Sequence, residues 1–184
     1  MRGRLELWGV DLTLVWVLGV FPVWLVGVVD YHGSRLVALE SVVWPRAAGV
    51  VSVIEKAVAV HGAPARVLTD NGPQFTGAQF AAALERHGIR HSRTRPAHPW
   101  TNGRIERVFS TFKQAVRHVI WLFSGVAQVD RFCGDFLCFY NRDRPHSAWG
   151  GRTPDEVWLG RNKRLRPLGR VTYFDGALEW WCFG

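Results

Sequence analysis

The chain has 184 residues, 48% of them hydrophobic, enough for one domain with a substantial core and too few for two ordinary ones. Its formal net charge of +8 resides wholly in the second half: residues 1–84 hold six Lys and Arg against six Asp and Glu, whereas residues 85–184 hold 17 against nine. This excludes an acidic disordered chain, and because arginine supplies most of the excess and its planar fork suits phosphate oxygens, nucleic acid is the expected partner.

In chain order, residues 12–29, "LTLVWVLGVFPVWLVGVV", are nearly all apolar and just long enough to cross a bilayer. Gly19, Pro22 and the abundance of valine favour instead two buried strands around an "LGVFP" turn, bounded by Asp11 and Asp30, and the chain is expected to have no membrane partner. A third strand follows at "RLVALESVV", a helix around "RAAGVVSVIEKAVAVHG", and a fourth strand, "ARVLT", which ends at Asp70. Asn71 and Gly72 then turn the chain sharply away.

Thr76 and Gln79 have capping-box spacing ahead of the helix "AQFAAALERHG", which closes on Gly88, and "IRHSR" forms a fifth short strand. The stretch "TRPAHPWTNG" is a loop from which Thr101 or Asn102 caps a long helix beginning near Gly103. On that helix Ile105, Val108, Phe109, Phe112, Val116 and Val119 recur at three- and four-residue intervals, the apolar face that covers the sheet. Glu106, Ser110, Lys113 and Arg117 form a polar stripe beside it. Beyond, the basic stretch "GRNKRLRPLGR" leads to a β-hairpin read from "VTYFDGALEWW" around Asp175 and Gly176. Cys133, Cys138 and Cys182 make neither an even disulfide set nor a zinc pattern, so a reducing, cytoplasmic location is expected.

Three acids stand in a telling order: Asp11 inside the first apolar strand, Asp70 at the end of the fourth, and Glu106 at the head of the long helix, with 35 residues between the last two. With "VDLTLV", "VVDYHGSRLV", "LTDNGPQFTG", "HGIRHSRTRPAHPWTNGRIERVFSTFK" and "YNRDRPHSAWGGRTPDEVW", the chain resembles the DDE recombinases, that is, retroviral integrases and the transposases of bacterial insertion sequences, over about residues 8–159. The resemblance implies an α/β, ribonuclease-H-like fold, a five-stranded mixed sheet flanked by helices, with residues 1–159 as the catalytic core and residues 160–184 as a basic C-terminal extension. It implies metal-dependent DNA cleavage and strand transfer, in which water frees a 3′ hydroxyl that then attacks target DNA. Two divalent cations, Mg²⁺ or Mn²⁺, would be held by Asp11 with Asp70 and by Asp11 with Glu106, since hard cations take oxygen ligands and an isolated carboxylate in an apolar strand is otherwise costly.

Asp30 is the rival for the first carboxylate, but in the family pattern its "D-x-x-x-S-R" element is the turn after the second strand, where an aspartate starts an Asx-turn. Lys113 matches a family lysine that contacts DNA near the reacting end, and Asn71, His98, Arg104, Arg107 and Arg117 are further DNA-contact candidates. The chain departs from relatives at Phe109, where many carry histidine, and at Ser110, where retroviral integrases carry a second lysine. Only ten residues precede Asp11, so end recognition is expected from an upstream domain or a separate helix-turn-helix protein, with DNA and further copies of the chain as partners. The alternative of a different class is a catalytically silent remnant that binds DNA or a full-length partner through the same surface.

Overall fold

A computed structural model describes residues 3–94, 103–162, 169–173 and 178–182. The long apolar run folds as an antiparallel hairpin, β1 (Trp8–Val17) and β2 (Phe21–Asp30), paired from Trp8 with Asp30 to Val17 with Phe21. The turn is shorter than the "LGVFP" reading: Leu18 and Gly19 take φ of 52° and 71°, and Val20 N donates to Val17 O at 3.1 Å. Pro22 therefore lies inside β2, opposite Trp16, where the pairing of β2 with β3 (Arg35–Val42) has not yet begun and no amide donor is needed.

The sheet has the order β3-β2-β1-β4-β5, in which β4 (Arg66–Thr69) runs parallel to β1 and β5 (Arg90–Arg93) runs parallel to β4. Both faces are covered, as parallel pairing requires. On one side lie α1 (Ala47–His61) and, beyond the single turn α2 (Pro73–Thr76), α3 (Ala78–Arg86), over a core that includes Trp8, Val10, Val26, Val28, Ile54 and Phe80. On the other lie α4 (Gly103–Val116) and α5 (Val126–Cys138), over Val15, Leu25, Ile105, Phe112, Phe132 and Phe136. All six residues of the apolar face read from Ile105 to Val119 are buried, each of the larger ones contributing roughly 1.5–3 kcal/mol by leaving water.

Because side chains alternate along a strand, Trp8, Val10 and Leu12 point to α1 and α3, while Asp11 and Thr13 share the α4 side with Val15 and Val17. Gly27 sits opposite Asp11 on β2, and its missing side chain is what lets α4 approach: a Cβ there would meet Phe109 Cε1 at 2.7 Å.

The capping box expected at Thr76 and Gln79 does not form. Pro73 starts the one-turn α2, Thr76 ends it with its hydroxyl donating to Pro73 O at 3.4 Å, and Gly77 is the N-cap of α3. A genuine capping box closes the start of α6 (Pro154–Trp158), where Thr153 and Glu156 each bond the other's backbone N–H. The C-terminal segments β6 (Gly169–Tyr173) and β7 (Leu178–Cys182) pair antiparallel as a separate two-stranded sheet, and their Asp175–Gly176 turn lies outside the described residues. No helix among the described residues is long and apolar enough to cross a membrane.

Candidate active site

β1 and β4 are paired at Trp8 with Val67 and at Gly9 with Leu68, and continuing that register sets Asp11 level with Asp70. The strands are no longer paired there, so both carboxylates stand at a crevice outside the carboxyl end of β4, where open α/β sheets commonly bind ligands. From the other side α4 brings Glu106 in its first turn, where a carboxylate also complements the helix dipole. An open cleft of about 550 Å³ is lined by Asp11, Thr13, Glu106, Ser110, Lys113 and Arg117 among others, so the whole polar stripe read from α4 faces one space together with the first acid.

Asp11 is partly buried, and its carboxyl is pushed up to about 6, mainly by desolvation and further by the negative charges of Asp70 and Glu106, while a hydrogen bond from Leu12 N (2.8 Å) and the Lys113 ammonium act in the opposite direction. Asp70 Oδ1 accepts a bond from Gly72 N at 2.8 Å, an Asx-turn that holds the carboxylate at the corner. Among the described residues no three His, Cys, Asp or Glu side chains crowd closely enough to hold one ion together. The pairwise sharing that the family resemblance implies asks for two carboxylates per cation rather than three, and it would supply the oxygen donors that hard cations take. The carboxylate repulsion that adds to burial in raising Asp11 is a cost that bound cations would remove, so the donor set fits such ions.

Asp30, the rival, has a structural role. It is fully buried and accepts three bonds, from Leu5 N (3.0 Å), Trp8 Nε1 (2.9 Å) and, as the Asx-turn, His32 N (2.6 Å). Burial nonetheless raises its pKa.

The DNA-contact candidates divide. Lys113 and Arg117 line the cleft. Asn71 donates through Nδ2 to Thr94 O at 3.2 Å, tying the corner after β4 to the end of β5. Arg104 points to the opposite flank of α4, where its guanidinium donates to Tyr31 O and lies 5.1 Å above the Tyr31 ring. Arg107 acts electrostatically on Tyr140 and His146, which are remote in sequence. His98, like the cap candidates Thr101 and Asn102, lies outside the described residues. Sequence reading missed Gln114, which also lines the cleft one position past Lys113, and gave no role to Arg144, His146 or Arg152, whose only signal is the arginine density of "NRDRPHSAWGGR".

Family models described as integrase core domain match residues 2–99 and residues 87–154. The chain is 36% identical over 129 residues to an uncharacterized 39.2 kDa protein of insertion element IS476 from Xanthomonas euvesicatoria, covering 70% of this chain and 36% of that protein. It is 31% identical over 99 residues to the transposase InsF for insertion sequence IS3A of Escherichia coli, covering 54% of this chain and 33% of that one. The chain thus spans about a third of the length of these relatives. Among solved structures, the catalytic core domain of HTLV-2 integrase in complex with magnesium, in a dimeric form, superposes with a TM-score of 0.70 at 20% identity over 85% of this chain and 97% of that one. The fold is accordingly the ribonuclease-H-like one.

Proposed function

Because the chain belongs to the integrase core domain family, whose business is DNA integration, we propose that it is a DDE-type transposase or integrase catalytic domain that cuts and joins DNA strands at the Asp11, Asp70 and Glu106 cleft. The observation that carries this reading is the meeting of Asp11 from β1, Glu106 from α4 and Lys113 in one open space, with Asp70 close enough for its charge to act on Asp11.

The chemistry needs an aligned attacking oxygen and a stabilised phosphorus centre more than covalent help. When bound, Mg²⁺ or Mn²⁺ held by Asp11 with Asp70 and by Asp11 with Glu106 supplies Lewis-acid activation of the attacking and leaving oxygens. Lys113 and Arg117, two and three turns after Glu106, present cations to phosphate oxygens beside the reacting bond. Thr13 and Ser110 add neutral hydroxyl donors to the same wall. The Asx-turn at Asp70 and the buried strand around Asp11 hold two of the acids on the rigid sheet, and α4 anchors the third through its buried face. Recognition of specific DNA ends is supplied by a further domain or partner, and the working form is a homo-oligomer, a reading supported by the dimeric form of the HTLV-2 core.

The test is strand transfer by purified variants. Asp70→Asn and Glu106→Gln each lose an anionic oxygen while nearly keeping shape, so metal-dependent strand transfer should fall to background while the folded state and duplex binding persist. Strand transfer by Glu106→Gln at wild-type rates, free of contaminating nuclease, would overturn the assignment.

A further inference from the structure

The segment Tyr140–Arg152 takes no part in the acidic cleft, yet it gathers charge on the other flank of α4. A 3-10 turn at Ser147–Trp149 and left-handed Gly150 (φ 63°) and Gly151 (φ 77°) fold the chain back, so that His146 N donates to Arg152 O at 3.0 Å. This sets Arg144, His146 and Arg152 side by side. Arg144 lies 5.7 Å above the Tyr140 ring with Nη1 3.3 Å from His146 Nε2, and the Tyr140 and His146 rings meet edge-on at 4.9 Å. Arg152 Nε donates to Trp149 O at 3.2 Å. From α4, Arg104 lies 5.9 Å from the Trp149 ring, and the charge of Arg107 reaches both Tyr140 and His146.

These guanidiniums are braced by aromatic faces and carbonyls. The ion pairs among the described residues are Arg35–Asp155, Lys56–Glu40 and Arg86–Glu55, and Arg107, Arg144 and Arg152 belong to none of them. Like charges held together without a paired carboxylate repel one another, and an anion relieves that repulsion. Each guanidinium carries five donors in a planar fork, so the bracing contacts leave others available to phosphate oxygens. The positive charge is dense enough to act on the imidazole: His146 is pushed down to about 4 by burial, then by Arg144 and Arg107.

We infer that Arg107, Arg144 and Arg152, steadied by Tyr140 and Trp149, form a second binding site for the phosphate backbone of duplex DNA, on the flank of α4 opposite the acidic cleft. A helix with its side chains is about 10–12 Å across, close to the roughly 12 Å width of the B-DNA major groove. Phosphates on either side of a duplex seated over α4 thus come within reach of Lys113 and Arg117 on one flank and of the arginine cluster on the other. The inference rests on the reading of this chain as a DNA-acting enzyme.

The experiment measures binding of a labelled random duplex across a salt series, without divalent metal, for the wild type, Arg107→Gln/Arg152→Gln, Arg107→Lys and Lys113→Gln. Each lost phosphate contact lowers the slope of log K against log salt by about 0.9, so the double variant should lose about 2 and Lys113→Gln about 1, with Arg107→Lys unchanged. A double variant that keeps the wild-type slope while Lys113→Gln lowers it overturns the second site and leaves the proposed function standing. A wild-type chain with no salt-dependent duplex binding overturns both. Should the double variant melt at a markedly lower temperature, Arg107→Gln alone decides, since Arg107 is exposed on α4: loss of about 1 in slope supports the site, and an unchanged slope refutes it.

Discussion

Gly27→Ala should damage both stability and strand transfer, and the two losses should separate. The new methyl would lie 2.7 Å from Phe109 Cε1, 2.8 Å from Cζ and 3.5 Å from Ile105 Cδ1. Comfortable carbon contacts are about 3.5–4.0 Å, so the ring must retreat by roughly 0.8 Å or more. It has little room, because Ile105 and Phe112 beside it are fully buried. Overpacking of this kind costs about 1–3 kcal/mol, offset by about 0.4–1 kcal/mol because alanine has less chain entropy to lose than glycine. A net loss of about 1–2 kcal/mol leaves the protein folded in dilute buffer. The strain is relieved by lifting α4, which moves Glu106 away from Asp11, and a displacement near 1 Å at reacting groups can cost on the order of 100-fold in rate. Urea unfolding and strand-transfer rates measured on Gly27→Ala, Phe109→Leu and the double variant read the coupling directly. The double variant should recover stability relative to the sum of the singles by more than about 0.5 kcal/mol. Strict additivity, or a Gly27→Ala protein as stable as the wild type, would refute the packing account.

Asn141 carries another structural load: its buried amide accepts from Leu36 N at 2.9 Å and donates to Leu36 O at 2.7 Å, so Asn141→Leu should cost about 2–4 kcal/mol in urea unfolding by stranding both backbone groups. Asp30→Asn should destabilise by roughly 1–3 kcal/mol through its three donors yet retain metal-dependent strand transfer, the converse of Asp70→Asn, as parallel unfolding and activity assays will show. His146, faced by Arg144, Arg107 and Tyr140, has a folded pKa near 4, below the ordinary 6.5, so the fold favours its neutral form. Its contribution is therefore fully present above pH 6.5 and is lost as pH falls towards 4, by at most about 3 kcal/mol before discounting partial exposure. His146→Gln should flatten the acid limb of stability between those pH values, and an unchanged limb would count against a buried neutral imidazole.

What the sequence made legible was whatever depends on period and punctuation. The two strands of the long apolar run, the four-residue stripe on α4 and the corner at Asp70 each follow from local rules, and all three reappear in the structure. Less legible were features set by what lies across a contact. The capping box was read at Thr76 because spacing alone cannot show that Pro73 would begin its own turn and hand the N-cap to Gly77. Gly27 was one more small residue in an apolar run, although a glycine inside a strand is itself a signal of close approach, here by Phe109. The segment "NRDRPHSAWGGR" entered only as part of a family motif, and the chain reversal through Gly150 and Gly151 is what brings Arg144, His146 and Arg152 together.

Asp30 and Asp70 show why tertiary context is needed to tell a site from a turn. Each follows an apolar strand, and each accepts a bond from the backbone N–H two residues on, at 2.6 Å and 2.8 Å respectively. Asp30 then meets two further donors, from Leu5 and the Trp8 indole, and is sealed from solvent, so its oxygens are committed to holding the chain around β2. Among the described residues the Asp70 carboxylate accepts the turn bond from Gly72 N, remains partly exposed, and lies level with Asp11 where β1 and β4 are no longer paired. The same Asx-turn therefore serves two ends. At Asp30 the carboxylate satisfies the fold, whereas at Asp70 the turn fixes a partly exposed carboxylate at the carboxyl end of β4. A partly exposed carboxylate fixed at a rigid corner, level with a second acid whose pKa is raised mainly by burial and further by the charges of Asp70 and Glu106, is an arrangement that the proposed cations would stabilise.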